Sequence, residues 1–222
     1  QNVIDASIKS KVKKVIFVST DKAVDPLNLY GATKQCAEKL VIAANNYSGD
    51  TQFVCVRGGN VIGSAGSVVP LFKEQIRKNN EVTLTNGDMT RFFLTLKQAI
   101  DLVFKSILNS HGGEIFVMKM PAAKIIDLAN LMVEELGDSE TKIREIGIRP
   151  GEKIHEALVS RYDTHRTLED EGYFIILPNI KINGLEEKYA RRKKVDFHEF
   201  NSTNTIQMDK EKLKDVLEKD GW

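Results

Sequence analysis

Val15-Ile16-Phe17-Val18-Ser19-Thr20-Asp21-Lys22, with Tyr30-Gly31-Ala32-Thr33-Lys34 beginning eight residues after Lys22, decides how this chain is read. The apolar run is short, continuous and rich in β-branched residues, the pattern of a parallel strand buried on both faces. It ends in Ser-Thr-Asp, and in open α/β sheets ligands bind just beyond the carboxyl ends of such strands. Tyr30 and Lys34 are four apart, so they share one face of the helix predicted over residues 28–45. A lysine held there favours the ionised phenol and can hold a ribose hydroxyl, leaving Tyr30 able to accept a proton. That arrangement suits oxidation of a sugar hydroxyl by a nicotinamide cofactor. Asp21 and Lys22 add a second acid–base pair, which simple hydride transfer does not require.

Outward from this stretch the pattern is that of an α/β protein with parallel strands. A short helix is predicted over residues 2–8, and a second strand over 53–56 runs into Arg57-Gly58-Gly59-Asn60. A helix over 68–78, a short strand over 81–84 and a turn at Asn86-Gly87-Asp88 follow. Residues 97–109 read as an amphipathic helix, with Ala99, Ile100, Val103, Phe104, Ile107 and Leu108 on its apolar side. A strand over 114–118 precedes a helix over 125–136, stopped by Gly137. After Arg149-Pro150-Gly151-Glu152-Lys153 the regularity weakens until a final helix over 210–219. The fold class is α/β, with parallel strands and inserted irregular segments.

The 222 residues are 41% apolar and 28% charged, ordinary for a globular protein with a real core. A net charge of +1 gives no sign of a nucleic-acid or membrane-surface partner. The basic run Arg191-Arg192-Lys193-Lys194 is flanked by acidic residues and reads as a solvated loop. Cys36 and Cys55 are too few for a disulfide framework and fit no metal motif, and no pair of the four histidines has metal-ligand spacing. With no apolar run near bilayer length and no signal peptide, a cytoplasmic protein is expected.

Ser-Thr-Asp-Lys-Ala together with Asn28-Leu29-Tyr30-Gly31-Ala32-Thr33-Lys34 resembles the extended short-chain dehydrogenases/reductases, and more narrowly the inverting UDP-N-acetylglucosamine 4,6-dehydratases of surface-polysaccharide biosynthesis. Further matches follow in family order: Gly59-Asn60-Val61, Gly66-Ser67-Val68-Val69-Pro70, Met89-Thr90-Arg91-Phe92, Gly113-Glu114-Ile115-Phe116-Val117, Gly151-Glu152-Lys153 and Asn201-Ser202-Thr203-Asn204-Thr205. The resemblance covers nearly the whole chain. Gly58 and Ala65 depart from it, standing where close relatives usually carry tyrosine and often arginine.

The resemblance implies NAD or NADP as cofactor and a UDP-sugar as substrate. Thr20, Asp21, Lys22, Tyr30 and Lys34 would be catalytic, and Ser19, Tyr30, Lys34 and Val61 would meet the cofactor. Thr20, Asn60, Val68, Arg91, Arg149 and Glu152 would meet the substrate, the two arginines as bidentate partners for a diphosphate. Tyr30 would take the C4 hydroxyl proton, Lys22 the C5 proton acidified by the 4-keto group, and Asp21 would donate to the departing C6 hydroxyl. Lysine at position 22, where retaining relatives carry glutamate, favours inversion at C5. The resemblance makes the chain the C-terminal part of a doubly wound parallel sheet of Rossmann type with a smaller mixed α/β substrate domain: residues 1–60 and 96–120 would form the C-terminal half of the cofactor domain, and 61–95 and 121–222 the nucleotide-sugar domain. The family's first strand and its glycine-rich pyrophosphate turn are absent, so the chain reads as the C-terminal two-thirds of such an enzyme, inactive alone, with exposed apolar sheet surface. A homo-oligomer is expected by analogy with the superfamily. The rival readings are a UDP-sugar epimerase (4- or combined 5/3-) and a non-catalytic remnant that binds a nucleotide sugar.

Overall fold

The computed structural model describes residues 1–219. In chain order the elements begin α1 (Asn2–Lys9), β1 (Lys14–Thr20), α2 (Leu29–Ala44), β2 (Gln52–Gly58) and β3 (Asn60–Val61). Next come α3 (Val68–Asn79), β4 (Glu81–Leu84), β5 (Thr90–Leu94), α4 (Leu96–Asn109), β6 (Ile115–Met118) and β7 (Ala122–Lys124). They end with α5 (Ile125–Leu136), β8 (Lys142–Glu145), β9 (Ala157–Val159), β10 (Thr167–Asp170), β11 (Tyr173–Ile176), α6 (Leu185–Tyr189), β12 (Phe200–Asn201) and α7 (Lys210–Lys219). Two compact units result, one of residues 1–58, 100–119 and 157–200, the other of 59–99, 120–156 and 201 onward.

The first unit is built on a five-stranded sheet in the order β1-β2-β6-β11-β10. β1, β2 and β6 are parallel, whereas β11 and β10 return antiparallel. Central β2 buries Phe53, Val54 and Cys55 completely, as a strand covered on both faces must. β1 does not meet the expectation of burial on both faces. It pairs on one side only among the described residues, and Val18 is 58% exposed. The apolar side read in residues 97–109 is likewise not covered: Ile100, Phe104, Ile107 and Leu108 are exposed on α4, while Leu102 and Ser106 are buried.

A second correction concerns residues 157–200, expected in the nucleotide-sugar domain. They fold with the first unit because β10 and β11 form a hairpin about Glu171-Gly172 whose second strand continues the sheet beside β6. Gly172 takes φ +70 there, which glycine adopts without strain. Buried charge ties this unit together. Arg57 donates from Nε and Nη2 to the two carboxylate oxygens of Glu38 at 3.0 and 2.7 Å, and from Nη1 to the Leu158 carbonyl at 2.9 Å and to Asp163 at 3.3 Å. Burial opposes the charge on Arg57, but Glu38 and Asp163 hold the guanidinium protonated above its ordinary range. Buried Glu114 accepts the backbone N–H of His111 and Gly112 and the Tyr189 hydroxyl, at 2.6, 2.8 and 2.9 Å.

The second unit packs α3, α5 and α7 around Phe72, Leu128, Leu131, Met132, Leu213 and Leu217. β5 is buried at every position, parallel to β3 and antiparallel to β7. β4 and β8 form a separate parallel pair.

Removing one partner of a buried ion pair leaves the other uncompensated, so Glu38→Ala should lower the unfolding free energy of the full-length protein by about 3–5 kcal/mol, read by urea denaturation. Although burial raises Asp163, Arg57 and Arg166 hold its carboxyl below the usual range. Its contribution is therefore complete above the unfolded carboxylate's pKa and is lost as pH falls through the folded value. Asp163→Asn should flatten the loss of stability below about pH 4.

Candidate active site

The strand-to-helix turn after β1 is shaped by local chemistry. Thr20 caps a short 3₁₀ turn, Asp21–Ala23, its hydroxyl accepting the Lys22 N–H at 3.4 Å and donating to Asp21 Oδ1 at 2.8 Å. Lys22 Nζ donates to the same oxygen at 2.9 Å. Asp21 is fully buried, and its Oδ2, like the Ser19 hydroxyl, has no hydrogen-bond partner among the described residues. Such orphaned polar atoms are costly unless a ligand or proton satisfies them.

Asp25, in the left-handed region at φ 43, turns the chain toward α2. Asn28 caps that helix, its Oδ1 accepting the Gly31 N–H at 2.8 Å. Gly31 is required because a Cβ there would collide with the Lys22 carbonyl oxygen and stand 2.9 Å from Pro26 Cβ. That close approach sets the start of α2 against the Asp21–Ala23 turn. Lys34 then reaches back to donate to the Val18 carbonyl at 3.1 Å, its ammonium 4.9 Å from the Phe17 ring centroid and 6.0 Å from that of Tyr30. Ser19, Thr20, Asp21, Lys22, Tyr30 and Lys34 are thus gathered in the first unit, with Tyr30 53% exposed.

The second unit holds the other group. Asn60, Val68, Arg91, Arg149 and Glu152 line one cavity of about 190 Å³, together with Leu71, Phe72, Thr85 and Met89. The Asn60 Oδ1 is buried without a partner among the described residues. Val61 pairs with Leu94 and does not line this cavity. Arg91 differs from a free anion ligand: its Nη1 donates to the Thr90 and Ile154 carbonyls at 2.8 and 3.0 Å, and its Nη2 to Lys153 at 2.8 Å. It clamps the loop bearing Arg149 and Glu152. Arg149 is exposed, its Nη1 3.9 Å from Glu152 Oε1. Ser202 supports the same loop from the Asn-Ser-Thr-Asn-Thr motif, accepting the Glu156 N–H at 3.0 Å and sharing a 2.6 Å bond with Thr90. Leu71 and Phe72 were missed in the sequence, though they follow Val68 at helical spacing. Glu38 and Arg57 were missed because their partners lie far apart in the chain.

Residues 1–178 match the family described as "Polysaccharide biosynthesis protein". The chain belongs to that family. Within it, the chain is 44% identical to a UDP-N-acetylglucosamine 4,6-dehydratase (inverting) of Campylobacter jejuni, over 98% of this chain and 67% of that protein. It is 40% identical to a protein of Rickettsia massiliae named UDP-glucose 4-epimerase, over 98% of this chain and 64% of the other. Among solved structures, Pen from Bacillus thuringiensis is 39% identical with a TM-score of 0.89, covering 100% of this chain and 66% of that one. The chain therefore spans about two thirds of the length of the relatives it matches. A dTDP-glucose 4,6-dehydratase from Streptomyces venezuelae, at 16% identity and a TM-score of 0.62, shares the fold. No helix among the described residues is long and apolar enough to cross a membrane.

Gly31→Ala should force α2 away from the Asp21–Ala23 turn and cost about 1–3 kcal/mol in thermal or urea denaturation, the range of an overpacked site. An unchanged stability would mean that α2 does not approach Lys22 as described.

Proposed function

We propose that the full-length protein is a nicotinamide-dependent UDP-N-acetylglucosamine 4,6-dehydratase that inverts C5, yielding a UDP-4-keto-6-deoxy-hexose for surface-polysaccharide biosynthesis. The observation that carries this reading is the adjacency of two acid–base pairs, Asp21–Lys22 and Tyr30–Lys34, on either side of the Gly31 contact. Family membership and the name of the Campylobacter relative support it.

NAD or NADP, when bound, supplies a hydride acceptor and donor. The residues present fit its nicotinamide ribose: Lys34 offers an ammonium beside Tyr30, and the Ser19 hydroxyl is buried without a partner among the described residues. Tyr30 accepts the proton of the sugar's C4 hydroxyl, with Thr20 beside it. The resulting ketone acidifies the C5 proton, which Lys22 removes in its neutral amine form, paired with Asp21 in its acid form. Asp21 donates to the C6 oxygen as water leaves, its buried Oδ2 being the oxygen open to carry that proton, and the hydride would then return from the cofactor to C6 while C5 takes a proton on the opposite face. Val68, Arg91, Arg149 and Glu152 take the nucleotide portion and Asn60 meets the substrate, with Arg91 also holding the loop of Arg149 and Glu152.

A homo-oligomer belongs to the same reading, using the face of α2 on which Leu29, Cys36 and Leu40 are exposed. So does a cytoplasmic location, in keeping with two free cysteines. The second reading is a UDP-sugar 4-epimerase, favoured by the Rickettsia relatives. Incubation of the full-length protein with UDP-N-acetylglucosamine in deuterated water separates the two by NMR. The dehydratase gives a C6 methyl group and deuterium at C5, whereas an intact C6 hydroxyl overturns it. Tyr30→Phe should lower kcat at least about 100-fold, the scale of a lost general base. Lys22→Gln should abolish deuterium incorporation at C5.

A further inference from the structure

Glu38 lies one helical turn beyond Lys34 on α2, and both side chains reach the sheet. Lys34 meets the Val18 carbonyl on β1. Glu38 meets Arg57 on β2, and Arg57 is the register partner of Ser19, the residue after Val18. The helix that carries Tyr30 is therefore pinned at two points, one turn apart, to neighbouring strands at the same level of the sheet. The pins differ in stiffness. Lys34 makes a single bond through a flexible stem, whereas the Glu38–Arg57 contact is bidentate and fixes direction as well as distance. Arg57 is itself held by the Leu158 carbonyl and Asp163, so its guanidinium cannot follow the helix if α2 slides.

We propose that the Glu38–Arg57 pair is a positioning element for the acid–base helix, setting the height at which Lys34 bonds Val18 and stands beside Tyr30. Neither residue touches the reacting atoms. Both act through α2, and the catalytic consequence rests on the dehydratase reading. A carboxylate shorter by one methylene draws the helix toward Arg57 or opens the fork, and misplacement of about 1 Å can cost about 100-fold in rate.

The test uses the full-length protein and three variants. Glu38→Asp keeps the charge and changes the reach. Glu38→Gln keeps the reach but sets an NH2 against one of the two Arg57 donors, so it loses one arm of the fork as well as the charge. Asp163→Asn weakens the same buried network without touching α2. Positioning predicts that E38D lowers kcat about 10–100-fold while KM for UDP-N-acetylglucosamine stays within about two-fold. E38Q, which loses one arm of the fork, should lower kcat in the same way with KM unchanged, and D163N should keep kcat within about three-fold of wild type even where its Tm falls as far. A purely stability role predicts kcat tracking Tm across all three, and that result, or wild-type kcat in E38D, overturns the proposal. Should E38D fail to fold, Arg57→Lys, which keeps charge and loses the fork, carries the same expectation. Lys34 labelling by an acetylating reagent, followed by mass spectrometry, is read in parallel and does not depend on the reaction. It should be at least about three-fold faster in E38D, or in R57K, than in wild type or D163N. Equal labelling overturns positioning even if dehydration is confirmed. A wild-type enzyme that makes no dehydrated product overturns the catalytic reading while leaving this readout intact.

Discussion

The backbone of Gly31 lies against the carbonyl of Lys22 so closely that no side chain fits between them. Everything the candidate active site can do depends on that approach. It lets α2 begin where the strand-to-helix turn ends, so that the second acid–base pair of the chain stands near the first. The Asn28 cap and the left-handed Asp25 are the local devices that deliver the helix to this place. Asp21, Lys22, Tyr30 and Lys34 then converge from 14 residues of sequence without a long-range contact among them.

Long-range contacts fix the scaffold beneath. The largely buried Glu38–Arg57–Asp163 network joins α2, β2 and the segment after β9, and removing one member leaves another charge poorly compensated. Glu114 does the same for the loop before β6 and for α6, satisfying two backbone N–H groups and a phenol. In the second unit Arg91 and Ser202 play this part for the loop of Arg149 and Glu152. Arg91 itself lines the cavity of that unit and also organises the loop of Arg149 and Glu152.

Local elements were legible because local chemistry makes them. β4, α5 and α7 begin and end where periodicity, Gly137 and the 210–219 pattern place them. The gathering of Asp21, Lys22, Tyr30 and Lys34 was legible for the same reason, being a turn and a helix start. What periodicity could not tell is which face or edge finds a partner. β1 has the composition of a central strand yet pairs on one side only among the described residues, and the apolar side of α4 is exposed. The hairpin of β10 and β11 has its turn signal at Glu171-Gly172, but Thr167-Leu168-Glu169-Asp170 carries two acidic residues and no β-branched apolar run to mark it as a strand. Glu38 and Arg57 read as ordinary charges until folding brings together residues 19 positions apart.

The central claim is that one active site oxidises C4, eliminates water across C5 and C6, and returns the same hydride to C6. The most direct measurement follows that hydride. UDP-N-acetylglucosamine carrying deuterium at C4 is converted by the full-length protein in ordinary water, and the product is examined by NMR and mass spectrometry. The account requires the deuterium to appear in the C6 methyl group. Deuterium found again at C4, with the C6 hydroxyl intact, would contradict it.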